Sequence, residues 1–214
     1  KRIVQIAYDL VTNSICYLPF ASDAIYQIYL QKGDERLTNK MYGLSSTRAT
    51  SFRIRSDLGV GSSSLFALDE QGKIYEWQLQ HNTEHGSASP RVHDLSHLCR
   101  VPITEFVVYG HEHLLAGLAY NEIGMYDFSS QKPVDRIATN SRLSHLSLGW
   151  NHSQPLLLMR SAPDTATQEV MVMKHREQYP GHPNGCGLKL DKYTRDESAA
   201  LRGVGRVAAL PTGC

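Results

Sequence analysis

The sequence predicts an all-β chain, a partial β-propeller of about four blades, and three observations carry that prediction. A unit of strand, glycine turn, strand, tight turn and strand occupies residues 51–79 and returns in altered form along the chain. Apolar residues in the unit alternate with polar ones at a period of two, as a half-buried strand requires. No segment shows the period of a long amphipathic helix, and there are no heptads. A single sheet cannot bury both of its faces alone, so units of this kind pack side by side around an axis as blades.

The best-formed copy reads SFRIRSDLGVGSSSLFALDEQGKIYEWQL. Phe52 and Ile54 alternate with polar neighbours, Gly59 and Gly61 interrupt, and residues 65–68 form an apolar run. The turn at residues 69–72 ends in Gly72, where a positive φ is easiest. Tyr75, Trp77 and Leu79 then share one face of the last strand and read as blade core. At the start of the chain the fit is looser: strands at 3–7, 15–18 and 25–30, with Asp9 at the place of the glycine. A third copy runs through 103–109, Gly110, 114–118, the Asn121-Glu122 turn and 125–128. The fourth runs through 143–148, Gly149, 156–159, a long turn at 160–168 and 170–173.

Anchors at 9, 59, 110, 149 and 213 are separated by 50, 51, 39 and 64 residues. Distances from anchor to third strand are steadier, at 16, 15, 15 and 21, the last lengthened by the long turn. The approximate repeats are 1–49, 50–101, 102–141 and 142–203, with a further one starting at 204–214, all within a single propeller fragment. Links at 31–49, 80–101, 129–141 and 175–203 leave room for a fourth strand in each blade, for instance around Val92, Val134 or Leu188. Residues 196–201 read as one helical turn.

Composition narrows the function classes. The 214 residues are 41% hydrophobic, enough for a packed core, and the net charge of +1 supplies no field for nucleic acid or an anionic membrane. No apolar run approaches the roughly 20 residues that cross a bilayer. Cysteines at 16, 99, 186 and 214 lie far apart without a Cys-x-x-Cys, which fits reduced thiols inside a cell, in cytoplasm or nucleus. The chain begins at Lys1 and its last residues enter a new unit, so an internal piece of a longer protein is expected.

The histidines are the richest chemical feature. His81, His85, His93 and His97 form two His-x3-His pairs with Cys99 close behind, the donor types of a tetrahedral zinc site. Such pairs converge only on a helix, and Gly86, Ser87, Ser89 and Pro90 argue for a loop, so a solvated connection is the favoured reading and no metal or cofactor is expected. His113 and His152 each stand three residues after a glycine anchor, Gly110 and Gly149, and read as repeated structural hydrogen-bonders rather than catalysts. Gly59-x-Gly61 lacks the Lys-Ser/Thr of a phosphate loop. Asp69, Glu70 and Glu122 fall in turns, where solvation is the simpler expectation. There is no Gly-x-Ser-x-Gly elbow and no His-Glu-x-x-His, so no enzyme is predicted and contacts are expected from loops at 80–91, 160–168 and 179–187.

The order strand, glycine, two residues, His or small polar residue, apolar strand, acidic turn and Ile/Val-Tyr-x-Trp strand resembles the repeat of the regulator of chromosome condensation, a seven-bladed propeller family. The matching positions are Gly59, Ser62, Gly72, Ile74 and Trp77, then Gly110, His113 and Tyr126, then Gly149 and His152. Gln78 stands where the family has a glycine after the tryptophan, and Asp9 replaces the first anchor. SLFALDEQGKIYEW and LSLGWNHS are most similar to F-box proteins whose C-terminal part is such a propeller. That resemblance implies a protein-interaction scaffold, the substrate-recognition part of a cullin-RING ubiquitin-ligase receptor. Its partners would be a ubiquitination client and, through a region outside this chain, a Skp-type adaptor, with no nucleic acid and no membrane. The alternative is guanine-nucleotide exchange on a small GTPase, none of whose functional residues maps onto this sequence. WD repeats fit less well, because their Gly-His and Trp-Asp pairs are missing from the required places.

Overall fold

Sixteen strands make up the regular structure of the described residues, and none of those residues is helical. The computed structural model describes residues 2–30, 39–45, 47–79, 89–108, 114–138, 142–151, 154–161, 170–176 and 187–192. Every four consecutive strands form one antiparallel sheet in simple neighbour order, which needs only hairpin connections. The first sheet holds β1 (Ile3–Asp9), β2 (Ser14–Pro19), β3 (Ala24–Tyr29) and β4 (Asn39–Gly43). The second holds β5 (Ala49–Asp57), β6 (Ser62–Asp69), β7 (Lys73–Leu79) and β8 (Arg91–Asp94). The third comprises β9 (Glu105–Val108), β10 (Leu114–Ala119), β11 (Glu122–Asp127) and β12 (Lys132–Ala138). The fourth comprises β13 (Leu143–Asn151), β14 (Gln154–Ser161), β15 (Val170–Arg176) and β16 (Gly187–Lys192).

Strands stand at Val92, Val134 and Leu188, where a fourth member of each sheet was expected, and β4 supplies the corresponding strand of the first. The helical turn expected at 196–201 lies outside the described residues. The chain divides into two units, Lys1–Ser96 and His97–Cys214, each holding two of the sheets.

In the first unit the alternation seen in the sequence becomes a shared core. Cys16, Leu18, Ile25 and Tyr42 of the first sheet pack with Phe52, Leu65, Ala67, Tyr75, Trp77 and Leu79 of the second. Tyr42 meets the Trp77 ring edge-on at 5.8 Å, and Tyr75 stacks on it at 6.0 Å. Gln5 ties the two inner strands together. Its amide donates to the Phe52 carbonyl at 2.6 Å and accepts from the Phe52 N–H at 3.0 Å. In the second unit Glu105, which pairs with Leu118 as Gln5 pairs with Leu18, accepts from the Leu146 N–H at 2.9 Å. Links between sheets are stitched alike: the Ala49 N–H donates to Ser22 O, and the Leu143 N–H to Tyr120 O.

Register corrects the repeat alignment. Glycine spacing aligns Asp9 with Gly59, but Asp9 pairs with Ser14 and Asp57 with Ser62, so Asp57 is the equivalent residue. The reason is a six-residue loop whose geometry the aspartate sets. Asp9 accepts from the N–H groups of Val11 and Thr12, Asp57 from those of Gly59 and Val60, and Asp127 from those of Ser129 and Ser130. The fifth residue of each loop is left-handed: Asn13 at φ 48°, Gly61 at 68° and Gln131 at 57°.

Within the second unit Gly117 and Gly124 lie opposite each other on β10 and β11 and make a notch in the sheet. Leu98 and Ile103 fill it. A Cβ on Gly124 would stand 2.9 Å from the Leu98 carbonyl oxygen, and one on Gly117 2.9 Å from Ile103 Cγ2.

Candidate functional site

The densest polar chemistry among the described residues is buried in the first unit, around Asp9. Its carboxylate accepts from Ser56 Oγ at 2.7 Å, Ser63 Oγ at 2.6 Å, Thr12 Oγ1 and the two loop N–H groups. Thr12 Oγ1 and Ser14 Oγ are 2.7 Å apart, Gln27 Nε2 donates to Ser14 Oγ at 2.7 Å, and Tyr42 OH donates to Gln27 Oε1 at 2.7 Å. The network therefore crosses all four strands of the first sheet and reaches two serines of the second. Burial alone would raise the Asp9 pKa, but hydrogen bonds from Ser63, Thr12 and Ser56 outweigh it and hold the carboxyl below its ordinary value.

A carboxylate saturated in this way is a buttress rather than a base. Nearby Cys16 is fully buried, and that burial, helped by the Asp9 charge, pushes its thiol up to about 12. In the second unit Cys99 rises to about 11, through burial and the charge of Glu122. Both thiols stay protonated at neutral pH, which removes them as nucleophiles.

The histidine segment separates. His93 is buried on β8, with Nε2 3.0 Å from Glu76 Oε2, so it is a strand residue in an ion-pair geometry rather than a solvated loop residue. Glu76 is held below its ordinary pKa: burial opposes this, and the His93 hydrogen bond and the charges of His93, Arg55 and Arg91 prevail. His97 is exposed and Cys99 buried, while His81 and His85 lie outside the described residues. Among the described residues no three His, Cys, Asp or Glu side chains gather as a metal set.

Of the repeat positions, Gly59 is exposed on the β5–β6 loop, Gly72 takes φ 84° in the β6–β7 turn, and Trp77 is buried in the shared core. Gly149 lies on β13 opposite Leu156. Gly110, His113 and His152 are outside the described residues, as are most of the three long loops expected to make contacts.

Two turn acids behave differently from expectation. Asp69 is buried and accepts from the N–H groups of Gln71 and Lys73, at 2.9 and 2.8 Å. Glu122 is buried and accepts from the Arg100 N–H at 2.8 Å and Arg100 Nε at 3.2 Å. Each satisfies backbone donors at a turn, which water does less well in a packed site. A readable signal for the Asp9 network was present in DLVTNS and DLGVGS, 48 residues apart. No such signal marked the pairing of Glu76 with His93, because it depends on strand register.

Two hairpin tips present apolar residues outward. Leu10, Leu58 and Val60 are exposed on the two equivalent Asp-capped loops, Val60 at 77%. Among the described residues no helix is long and apolar enough to cross a membrane.

No family model matches the chain, and no curated protein matches it. Among solved structures it is similar to BBS1N, crystallised in complex with ARL6DN, with a TM-score of 0.53 and 9% identity over 89% of this chain and 53% of that one. It is also similar to the dihydro-heme d1 dehydrogenase NirN in complex with DHE, with a TM-score of 0.54 and 13% identity over 81% of this chain and 35% of that one. The chain thus spans about half of the first and a third of the second. At these identities the likeness is one of fold, and that fold is the β-propeller, with the four-stranded antiparallel sheets as its blades.

Proposed function

We propose that this chain is a rigid protein-interaction scaffold, and specifically the substrate-recognition propeller of an F-box receptor in a cullin-RING ubiquitin ligase. One observation carries the scaffold reading. The buried polar chain that runs from Ser63 through Asp9 to Tyr42 is satisfied internally, while apolar tips at Leu10, Leu58 and Val60 face outward. Such a frame presents loops in fixed positions. The propeller fold it shares with BBS1N, which was crystallised in complex with ARL6DN, supports the same use.

The F-box part of the reading rests on the resemblance of SLFALDEQGKIYEW and LSLGWNHS. Its mechanism is positioning: a client held on the loop face brings one of its lysines within reach of a separately recruited conjugating enzyme inside the cell. Co-purification of the full polypeptide with a Skp-type adaptor tests it. Retention of the adaptor at stoichiometric level is expected; absence of retention, together with accelerated nucleotide release from a Ran-type GTPase, would move the assignment to guanine-nucleotide exchange.

A further inference from the structure

One face of the first sheet packs on the second sheet, and the other is apolar and open. On that open face Ile6, Tyr17, Tyr26 and Met41 lie in one row across all four strands, and Tyr8, Ile15 and Ile28 form the next. Tyr17 and Tyr26 stack at 5.4 Å, Ile6 is 62% exposed and Met41 55%. A contiguous apolar patch of this kind on a sheet marks a surface that something covers.

The second sheet shows what kind of object covers it. Because Asp9–Ser14 and Asp57–Ser62 are equivalent pairs, Ile6 corresponds to Ile54, Tyr17 to Leu65, Tyr26 to Trp77 and Ile28 to Leu79. Those four residues of the second sheet belong to or pack on the core formed against the first. The open face is therefore, position for position, the face that a neighbouring blade buries one repeat later.

We propose that this face docks a further four-stranded blade carried by the same polypeptide. The two sheets of the first unit show the connection such a blade would use. A short link joins the outer strand β4 to the inner strand β5 and is stitched down by the Leu44 N–H on Asp23 O and the Ala49 N–H on Ser22 O. The chemistry of the contact differs in one respect. Ser56 and Ser63, which donate to Asp9, are replaced on the open face by their equivalents Tyr8 and Ile15. A carboxylate arriving there would meet Ile15 in place of one hydroxyl donor and, in place of the other, the Tyr8 hydroxyl, which already donates to Asn13 Oδ1 at 2.6 Å. The docking blade consequently carries an apolar or hydroxyl residue where the first sheet has Asp9. A second copy cannot use its own Asp9-bearing face for this, because that face already packs on its second sheet.

Hydroxyl-radical footprinting of the full, unmutated polypeptide, combined with its native mass, tests the proposal independently of the ligase reading. Tyr8 and Tyr120 are similarly exposed here, at 48% and 58%, so they would oxidise at similar rates if nothing covered the first sheet. The expected result is a monomer in which Tyr8 and Tyr17 oxidise at least about ten-fold more slowly than Tyr120, as buried positions do. Equal rates at Tyr8 and Tyr120 would overturn it, and so would protection that appears only in a concentration-dependent dimer.

Discussion

Asp9 shows how one residue sets both a local shape and a pH dependence. Its carboxylate closes the β1–β2 loop and holds Ser56 and Ser63 of the second sheet. Replacing it in Asp9→Asn puts an NH2 among hydroxyl and N–H donors. We expect a loss of about 2–4 kcal/mol, read from the urea midpoint. The sign with pH follows from the direction of the shift. A depressed folded-state pKa contributes stability that is present above the unfolded carboxyl value, about 4, and is lost as pH falls through the lower folded value. Glu76 adds in the same direction. Between pH 7 and pH 3 wild type should therefore lose more stability than Asp9→Asn. Trp77 separates packing from polarity, since its Nε1 is buried without a hydrogen-bond partner. Trp77→Phe should cost less than Trp77→Ala, for which about 3–5 kcal/mol is expected from thermal unfolding. Core aromatics such as Trp77 were legible in the sequence because alternation reports burial. The roles of Asp69 and Glu122 were not, because a polar residue in a turn looks the same whether its partner is water or a backbone amide, and the pairing of His93 with Glu76 depends on strand register.

At the scale of the element, strands and hairpins were readable and their exact closure was not. The sequence pattern makes Gly59 the turn residue, yet it is Asp57 that organises the loop, and the left-handed position is Gly61. Gln131 occupies the same left-handed position with a side chain that disfavours it. Gln131→Gly should stabilise by about 0.5–1 kcal/mol, whereas Gly61→Ala should destabilise by about 1–2 kcal/mol, both measured as shifts in thermal midpoint. The Gly117 and Gly124 pair could not be read from local sequence at all, because the need for glycine comes from Leu98 and Ile103 packing onto the sheet. Since a Cβ on Gly124 meets the backbone of Leu98 and one on Gly117 meets the side chain of Ile103, Gly124→Ala should be the more damaging, by about 2–3 kcal/mol.

For the whole molecule, the period-two pattern and its recurrence were enough to give an all-β propeller, because a sheet with two apolar faces has few ways to bury both. Function was less legible, since a propeller's contacts come from loops whose sequence answers to a partner rather than to the fold. The stability of the frame and the identity of its tips are separable here. Leu58→Ser on the exposed β5–β6 tip should leave the unfolding midpoint within about 0.5 kcal/mol of wild type while weakening capture of any protein that reads that tip. The Asp-capped loops extend this to how such a molecule diversifies. Each closes on the amides two and three residues after its aspartate, with one left-handed residue before the next strand, so the side chains of Leu58 and Val60 stay largely in solvent. Mutations there can accumulate without eroding the frame. A tip moved between the β1–β2 and β5–β6 hairpins should close in the same way, which makes the hairpin ends exchangeable cassettes on a scaffold that new specificities can use unchanged.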